Sequence, residues 1–234
     1  MFFTIDNILS DADVARALQL LKQSRFVDGA ISASGYAKSG IKNNQEMEAS
    51  DSYLSLVAML DAAIEASPKV NIRLQPRFRT YPIFNRYDVG MFYGEHIDFP
   101  IMGGVTQFGR SPGRFGQNFM RTDYSMTLFL TPPGEYEGGE LELKVLGESR
   151  LIKMQAGSAV CYSTGIPHSV RPVTQGFRIA AIYWFQSLIR NVQIRSELWE
   201  QYRLEQELEK SGSRALAERA ASIRHNLVRY LAEL

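Results

Sequence analysis

The chain has 234 residues, 45% apolar and 11% aromatic, which suits one domain with a sizeable core and argues against wholesale disorder. Lys+Arg number 26 against 25 Asp+Glu, a formal net charge of +1, so no overall basic excess points to nucleic acid or to an anionic membrane. One cysteine excludes an intrachain disulfide and a cysteine-cluster metal site, and three histidines (His96, His168 and His225) restrict any transition-metal site to those residues plus carboxylates.

The opening MFFTIDNILSDAD lacks a basic start and meets Asp6 at once, unlike a signal peptide. The longest apolar run, Ile179 to Phe185, falls far short of the roughly 18–20 residues of a membrane span. A soluble, cytoplasmic protein is expected. Ser10-Asp11-Ala12-Asp13 resembles a capping box with the carboxylate shortened from Glu to Asp, and Val14, Leu18 and Leu21 follow at helical spacing. A polar, Gly/Ser-rich stretch from Asp28 to Asn44 separates this helix from a second, about Ser50 to Ala66, which ends before Pro68 and presents Leu54, Val57, Ala58, Leu60 and Ile64 on its apolar face.

Strands are predicted next: Arg77–Tyr87, Met91–Ile97, Tyr124–Leu130, Leu141–Val145, Arg150–Lys153, Ala159–Tyr162, Ser169–Val173 and Arg178–Gln186, with Gly- and Pro-containing breaks between them. That pattern suggests an antiparallel sandwich or jelly roll. From Ser187 onward the chain is charge-rich. Leu216, Ala220, Ile223, Leu227, Leu231 and Leu234 recur at steps of three and four as a helical stripe, and Ser211-Gly212-Ser213 breaks two helices with Ser213 as N-cap. The stripe serves intrachain packing, a homodimer interface, or both. The expected organisation is residues 1–75 as a helical support region, 76–187 as the β core and 188–234 as a helical appendage.

His96 and Asp98 stand two apart, a spacing that on a strand projects both side chains from one face. His168 follows 70 residues after Asp98, and two imidazoles with one carboxylate form the ligand set of non-haem Fe(II) oxygenases. Such a set leaves coordination positions open for a bidentate co-substrate and for dioxygen. Arg178, ten residues beyond His168, lies in an apolar run where a guanidinium is costly without an anion, and its fork suits the distal carboxylate of 2-oxoglutarate.

H-x-D, a distant His and an Arg ten residues later resemble the Fe(II)/2-oxoglutarate-dependent dioxygenases. The likeness sharpens to their prolyl/lysyl-hydroxylase-like branch and, within it, to PKHD-type hydroxylases. It is carried by Tyr87-Asp88-Val89-Gly90 with Tyr93, by the stretch RTDYSMTLFL (121–130), by Glu137-Gly138-Gly139-Glu140-Leu141, by PVTQGFR (172–178) and by WFQSLIR (184–190), and it extends over most of the chain. The resemblance implies a double-stranded β-helix core. It implies Fe(II) on His96, Asp98 and His168, 2-oxoglutarate on Arg178, and O2 as the second co-substrate. It also implies hydroxylation of a C–H bond with release of succinate and CO2, and ascorbate as supporting reductant.

Residues 99–122 look longer than in the relatives of this branch. They hold Gly103, Gly104, Gly109, Gly113, Gly116 and Pro112. No acidic residue lies between Asp98 and Asp123, while Arg110, Arg114 and Arg121 are present. The expectation is a substrate loop favouring an anionic partner. Tyr87 and Tyr93 either contact 2-oxoglutarate or are core aromatics with satisfied hydroxyls. His225, between arginines on a late helix, is expected in solvent, and Cys161 is expected to be inert core. Arg178 as a structural ion-pair partner, and a jelly-roll metal-binding or sensor protein without turnover, are the rival assignments. A cupin-type enzyme without the keto acid is disfavoured by Arg178, and a halogenase by Asp98.

Overall fold

The computed structural model describes residues 2–32, 40–103, 105–107 and 119–233. Arg110, Arg114 and most of the Gly-rich stretch therefore lie outside the described residues, as does Leu234. In chain order the strands are β1 Phe2–Ile5, β2 Phe26–Asp28, β3 Lys42–Asn43, β4 Gln45–Met47, β5 Pro76–Thr80, β6 Ile83–Tyr87, β7 Phe92–His96, β8 Ile101–Met102, β9 Val105–Gln107, β10 Met120–Arg121, β11 Tyr124–Phe129, β12 Tyr136–Gly138, β13 Leu141–Val145, β14 Glu148–Ile152, β15 Ala159–Ser163, β16 His168–Val170, β17 Val173–Gly176 and β18 Arg178–Ser187. The helices are α1 Asp11–Lys22, α2 Asp51–Ala66, α3 Pro68–Leu74, α4 Val192–Lys210 and α5 Arg214–Leu231.

Two antiparallel sheets form the jelly-roll core. The major sheet runs β1-β15-β11-β18-β6-β4-β2, with β5 also paired to β18 and β9 to β5; the minor sheet runs β14-β13-β16-β7-β3. Side-chain alternation decides what each face of the major sheet packs against. Tyr124, Met126, Leu128, Cys161, Tyr183 and Phe185 face outward onto α1 and α2, where Val14, Leu21, Leu56, Leu60 and Ile64 meet them. The neighbouring positions Phe129, Val160, Tyr162 and Tyr87 face inward and pack with Leu141, Leu143 and Val170 of the minor sheet. Fully burying a side chain such as Phe185 contributes about 2 kcal/mol.

Ser10 and Asp13 make the reciprocal capping box at the start of α1, and Ser50 caps α2. Several local expectations need correction. The strand expected over Arg77–Tyr87 is two strands. Pro82, which has no N–H to give a ladder, breaks it, and the Trp184 N–H opposite the break donates to Thr80 Oγ1 at 3.1 Å. The strand expected over Ser169–Val173 is likewise split between β16 and β17. On α2, Leu54 and Ala58 are exposed and the buried face is Leu56, Val57, Leu60, Asp61 and Ile64. Pro68 does not merely end α2; it starts α3 at a position where its missing N–H costs nothing.

On α5 the buried face is also rotated from the expected stripe. Leu216 and Ile223 are exposed, whereas Ala217 and Arg224 are buried, because Arg224 donates to both carboxylate oxygens of Glu205 on α4 at 2.6 and 3.1 Å. Ser213 occupies the N-cap of α5 without a side-chain capping bond. Residues 1–75 also do more than flank the core: β1 extends the major sheet beside β15, β4 pairs β6, and β3 pairs β7 in the minor sheet. No helix among the described residues is long and apolar enough to cross a membrane.

Candidate active site

His96 is the last residue of β7 and His168 the first of β16. Pairing of these strands sets the two residues directly opposite each other in the minor sheet. Asp98 lies just beyond β7 in extended coil, and its backbone N–H is held by Thr164 O at 3.2 Å. One ligand atom from each of His96, Asp98 and His168 falls within 4.8 Å of the other two. The imidazole rings lie 4.3 Å apart between centroids, and His168 Nε2 is 3.8 Å from Asp98 Oδ2.

Each imidazole is oriented by the backbone carbonyl two residues before it. His96 Nδ1 lies 2.9 Å from Gly94 O and His168 Nδ1 lies 2.9 Å from Ile166 O. A carbonyl only accepts, so Nδ1 carries the proton and donates, and Nε2 keeps its lone pair for a metal. Burial and the adjacent His168 push His96 down to about 4, so its ring is neutral at ordinary pH. Tyr93 stacks on His96 at 3.8 Å between centroids, and burial together with the charge of Asp98 pushes its hydroxyl up to about 12.

The three residues open on a cavity of about 820 Å³. Arg178 lines the same cavity from the first position of β18, 1% exposed. Its guanidinium lies 5.3 Å from the Tyr87 ring centroid and 5.2 Å from that of Phe129. None of its three side-chain nitrogens has a hydrogen-bond partner among the described residues. The hydroxyl of buried Tyr136 approaches Arg178 without a well-formed hydrogen bond; burial raises it, and the charge and polar approach of Arg178 pull it back. A buried cation without an anion is expensive, so the donor set is that of a site for a carboxylate. The motif glycines make the room. Gly139 has φ +64°, and a Cβ there would sit 2.9 Å from Val173 Cγ2 and 3.2 Å from Arg178 Cδ.

Sequence reasoning also named residues that sit elsewhere. Arg121 does not line the cavity; it ion-pairs with Asp123 at 2.8 Å and with Glu233 at 3.4 Å. His225 is exposed on α5, beside Arg224 and outside the metal-ligand cluster. Cys161 is fully buried, and burial pushes its thiol up, which makes it unreactive. Two features were not anticipated. Lys42 and Glu46 ion-pair at 2.5 Å on the cavity wall, and Ser125 Oγ donates to Asp98 Oδ2. Ser125 and Thr127 share the inward face of β11, an alternation the sequence carried. Lys42 and Glu46 sit on two- and three-residue strands with no periodic signal.

Two antiparallel sheets enclosing a two-histidine, one-carboxylate cluster and a buried, unpaired arginine define a non-haem iron oxygenase. The sequence agrees: residues 82–186 match the model of the 2OG-Fe(II) oxygenase superfamily. A PKHD-type hydroxylase of Alteromonas mediterranea is 36% identical over 98% of this chain and 99% of its own length. One of Paraburkholderia phymatum is 36% identical over 98% of each. The chain belongs to the PKHD-type hydroxylases. It is an Fe(II)- and 2-oxoglutarate-dependent hydroxylase whose co-substrates are 2-oxoglutarate and O2. Solved structures share the fold at lower identity. HygX of Streptomyces hygroscopicus, with nickel and 2-oxoglutarate bound, covers 80% of this chain and 82% of its own at 12% identity and a TM-score of 0.53. A Trichoplax adhaerens prolyl hydroxylase bound to a peptide of hypoxia-inducible factor covers 79% and 82% at 19% identity and a TM-score of 0.50.

Proposed function

We propose that His96, Asp98 and His168 hold the Fe(II), that Arg178 takes the distal carboxylate of 2-oxoglutarate, and that residues 76–187 house the reaction. The observation that carries this is the Arg178 guanidinium, buried without a partner on the same cavity as three ligand atoms within 4.8 Å of one another. The bound iron supplies dioxygen activation coupled to decarboxylation of the keto acid. The chain's own residues do the rest. Two neutral imidazoles and one carboxylate leave the site one positive charge, which a dianionic keto acid compensates. Arg178 fixes the far end of that acid by bidentate hydrogen bonds. Tyr87 lies beside the guanidinium and Tyr93 on His96, so they serve the co-substrate end and the metal end respectively.

Ile83, Ile97, Phe99, Ile182 and Trp184 give the remaining cavity wall an apolar character, interrupted by the Lys42–Glu46 pair. The substrate is a molecule or peptide side chain with an apolar body; an anionic group on it is read by Arg110 and Arg114 of the loop after the metal pair. Ascorbate re-reduces iron after turnover without substrate. The enzyme works in the cytoplasm, and it dimerises through the helical region, where Leu204, Leu216 and Ile223 are exposed.

Adding Fe(II) and 2-oxoglutarate without air should give a metal-to-ligand charge-transfer band, and admitting O2 should give succinate. The band should be absent in Asp98→Ala and His168→Ala. A wild-type band without succinate under any substrate would instead favour a metal-binding module without turnover. Light scattering tests the dimer, and Arg110→Ala with Arg114→Ala tests the anionic preference through substrate affinity.

A further inference from the structure

Asp98 is the one proposed ligand that no strand holds, since β7 ends at His96. Its coil is tied instead to the segments that follow β15 and precede β11 of the major sheet. Asp98 N–H donates to Thr164 O at 3.2 Å, Thr122 N–H donates to Pro100 O at 2.9 Å and Thr122 Oγ1 donates to Phe99 O at 2.5 Å. Thr164 Oγ1 closes the set by donating to Thr122 O at 2.7 Å. These bonds hold the backbone of residues 98–100 and do not involve the Asp98 carboxylate. Ser125, fully buried on β11 of the major sheet, meets that side chain: its Oγ donates to Asp98 Oδ2. The accepting oxygen is also the one that faces His168 Nε2 at 3.8 Å.

We infer that Ser125 is a positioning residue for iron, reaching from the major sheet to set the rotamer of a ligand whose backbone lies in the coil that follows β7. It rests on the ligand assignment proposed above. A carboxylate on a coil has two χ angles to lose on binding a metal. A buried hydroxyl that already holds one oxygen removes that loss before the metal arrives. Ser125 touches neither iron nor co-substrate in this role, so it acts on metal retention and on the electronic state of the site through Asp98.

The experiment is anaerobic Fe(II) binding to the full chain by equilibrium dialysis, with the charge-transfer band of the Fe(II)/2-oxoglutarate complex as a second readout. Ser125→Ala should weaken Fe(II) about tenfold or more and displace the band maximum, while its far-UV circular dichroism stays that of wild type. Ser125→Thr keeps the hydroxyl and should bring affinity to within about threefold of wild type. Wild-type Fe(II) affinity and an unmoved band in Ser125→Ala would overturn the inference. So would loss of affinity in Ser125→Thr equal to that in the alanine variant, which would mark a packing role. Should the alanine variant fail to fold, Ser125→Cys, near in size but a weak donor, is held to the same criteria. Failure of the ligand assignment looks different: Asp98→Ala would then bind Fe(II) as wild type does.

Discussion

Replacing Arg178 by methionine separates the two roles a buried arginine can have. The guanidinium is 1% exposed, its nitrogens lack well-formed hydrogen bonds among the described residues, and the rings of Tyr87 and Phe129 and the hydroxyl of Tyr136 lie beside it. Without co-substrate, a charge held in this way costs stability that an apolar side chain of similar length recovers. The thermal midpoint of the co-substrate-free variant should therefore equal or exceed that of wild type. With co-substrate the sign reverses. Two hydrogen bonds between charged groups contribute about 1.5–3 kcal/mol each, so the lower end of their loss is about 3 kcal/mol, or roughly a hundredfold in Kd.

Titrating 2-oxoglutarate anaerobically into the Fe(II)-loaded proteins reads the affinity, and calorimetry with and without 2-oxoglutarate reads the linkage. At a concentration of about 100 times the wild-type Kd, wild type gains about 2.7 kcal/mol of stability, and a variant bound a hundredfold more weakly gains about 0.4 kcal/mol. A variant that kept its 2-oxoglutarate affinity but lost about 3 kcal/mol or more of intrinsic stability would refute the reasoning. Arg178 would then be a structural cation.

Three further outcomes follow from contacts outside the ligand cluster. Gly139→Ala should weaken 2-oxoglutarate about tenfold, since a side chain at φ +64° costs about 1–2 kcal/mol and the new Cβ crowds Arg178 Cδ at 3.2 Å; unchanged affinity in titration would exclude that coupling. Asp61 receives the Tyr183 hydroxyl at 3.0 Å and pairs with Arg79 at 2.7 Å, yet burial outweighs the cation and pushes its carboxyl up to about 6. The folded state then binds a proton that the unfolded state releases near pH 4. Wild-type stability relative to Asp61→Asn should accordingly fall as pH rises from about 4 to 6 in denaturant titrations; a rise would mean that Arg79 wins. Arg224→Ala leaves Glu205 buried without its bidentate partner and should cost about 3–5 kcal/mol in unfolding, whereas replacing both with Met and Leu should restore most of it.

How much was legible beforehand divides along physical lines. Helix starts were readable because a cap is decided within four residues: Ser10 with Asp13, and Ser50 with Tyr53 N–H. Strand cores were readable from alternation and from their Gly and Pro boundaries, and residue type and spacing anticipated that His96, Asp98, His168 and Arg178 share one cavity. The buried face of α2 was right at Val57, Leu60 and Ile64 but missed Leu56 and Asp61, and that of α5 was rotated, because each carries a buried ionic group that a hydrophobic stripe cannot foresee. Asp61 lies under Arg79 and Tyr183, and Arg224 lies against Glu205. Arg121 was grouped with the loop arginines on proximity in sequence, whereas the fold brings Asp123 and Glu233 to it.

The sequence alone narrowed the proposed metal site, because a chain with one cysteine and three histidines has few ways to bind iron, and its one H-x-D leaves His168 or His225 as the second imidazole. It also determined the two-sheet architecture, since period-two alternation with regular breaks has few packed solutions. Only the tertiary structure decided the register that sets His96 opposite His168. It likewise decided the burial of Arg178 between Tyr87 and Phe129, and the hydroxyl of Ser125 on Asp98. Those contacts join residues 27 to 91 positions apart, and sheet order, which follows from the summed packing of both faces, fixes them where no local propensity reaches.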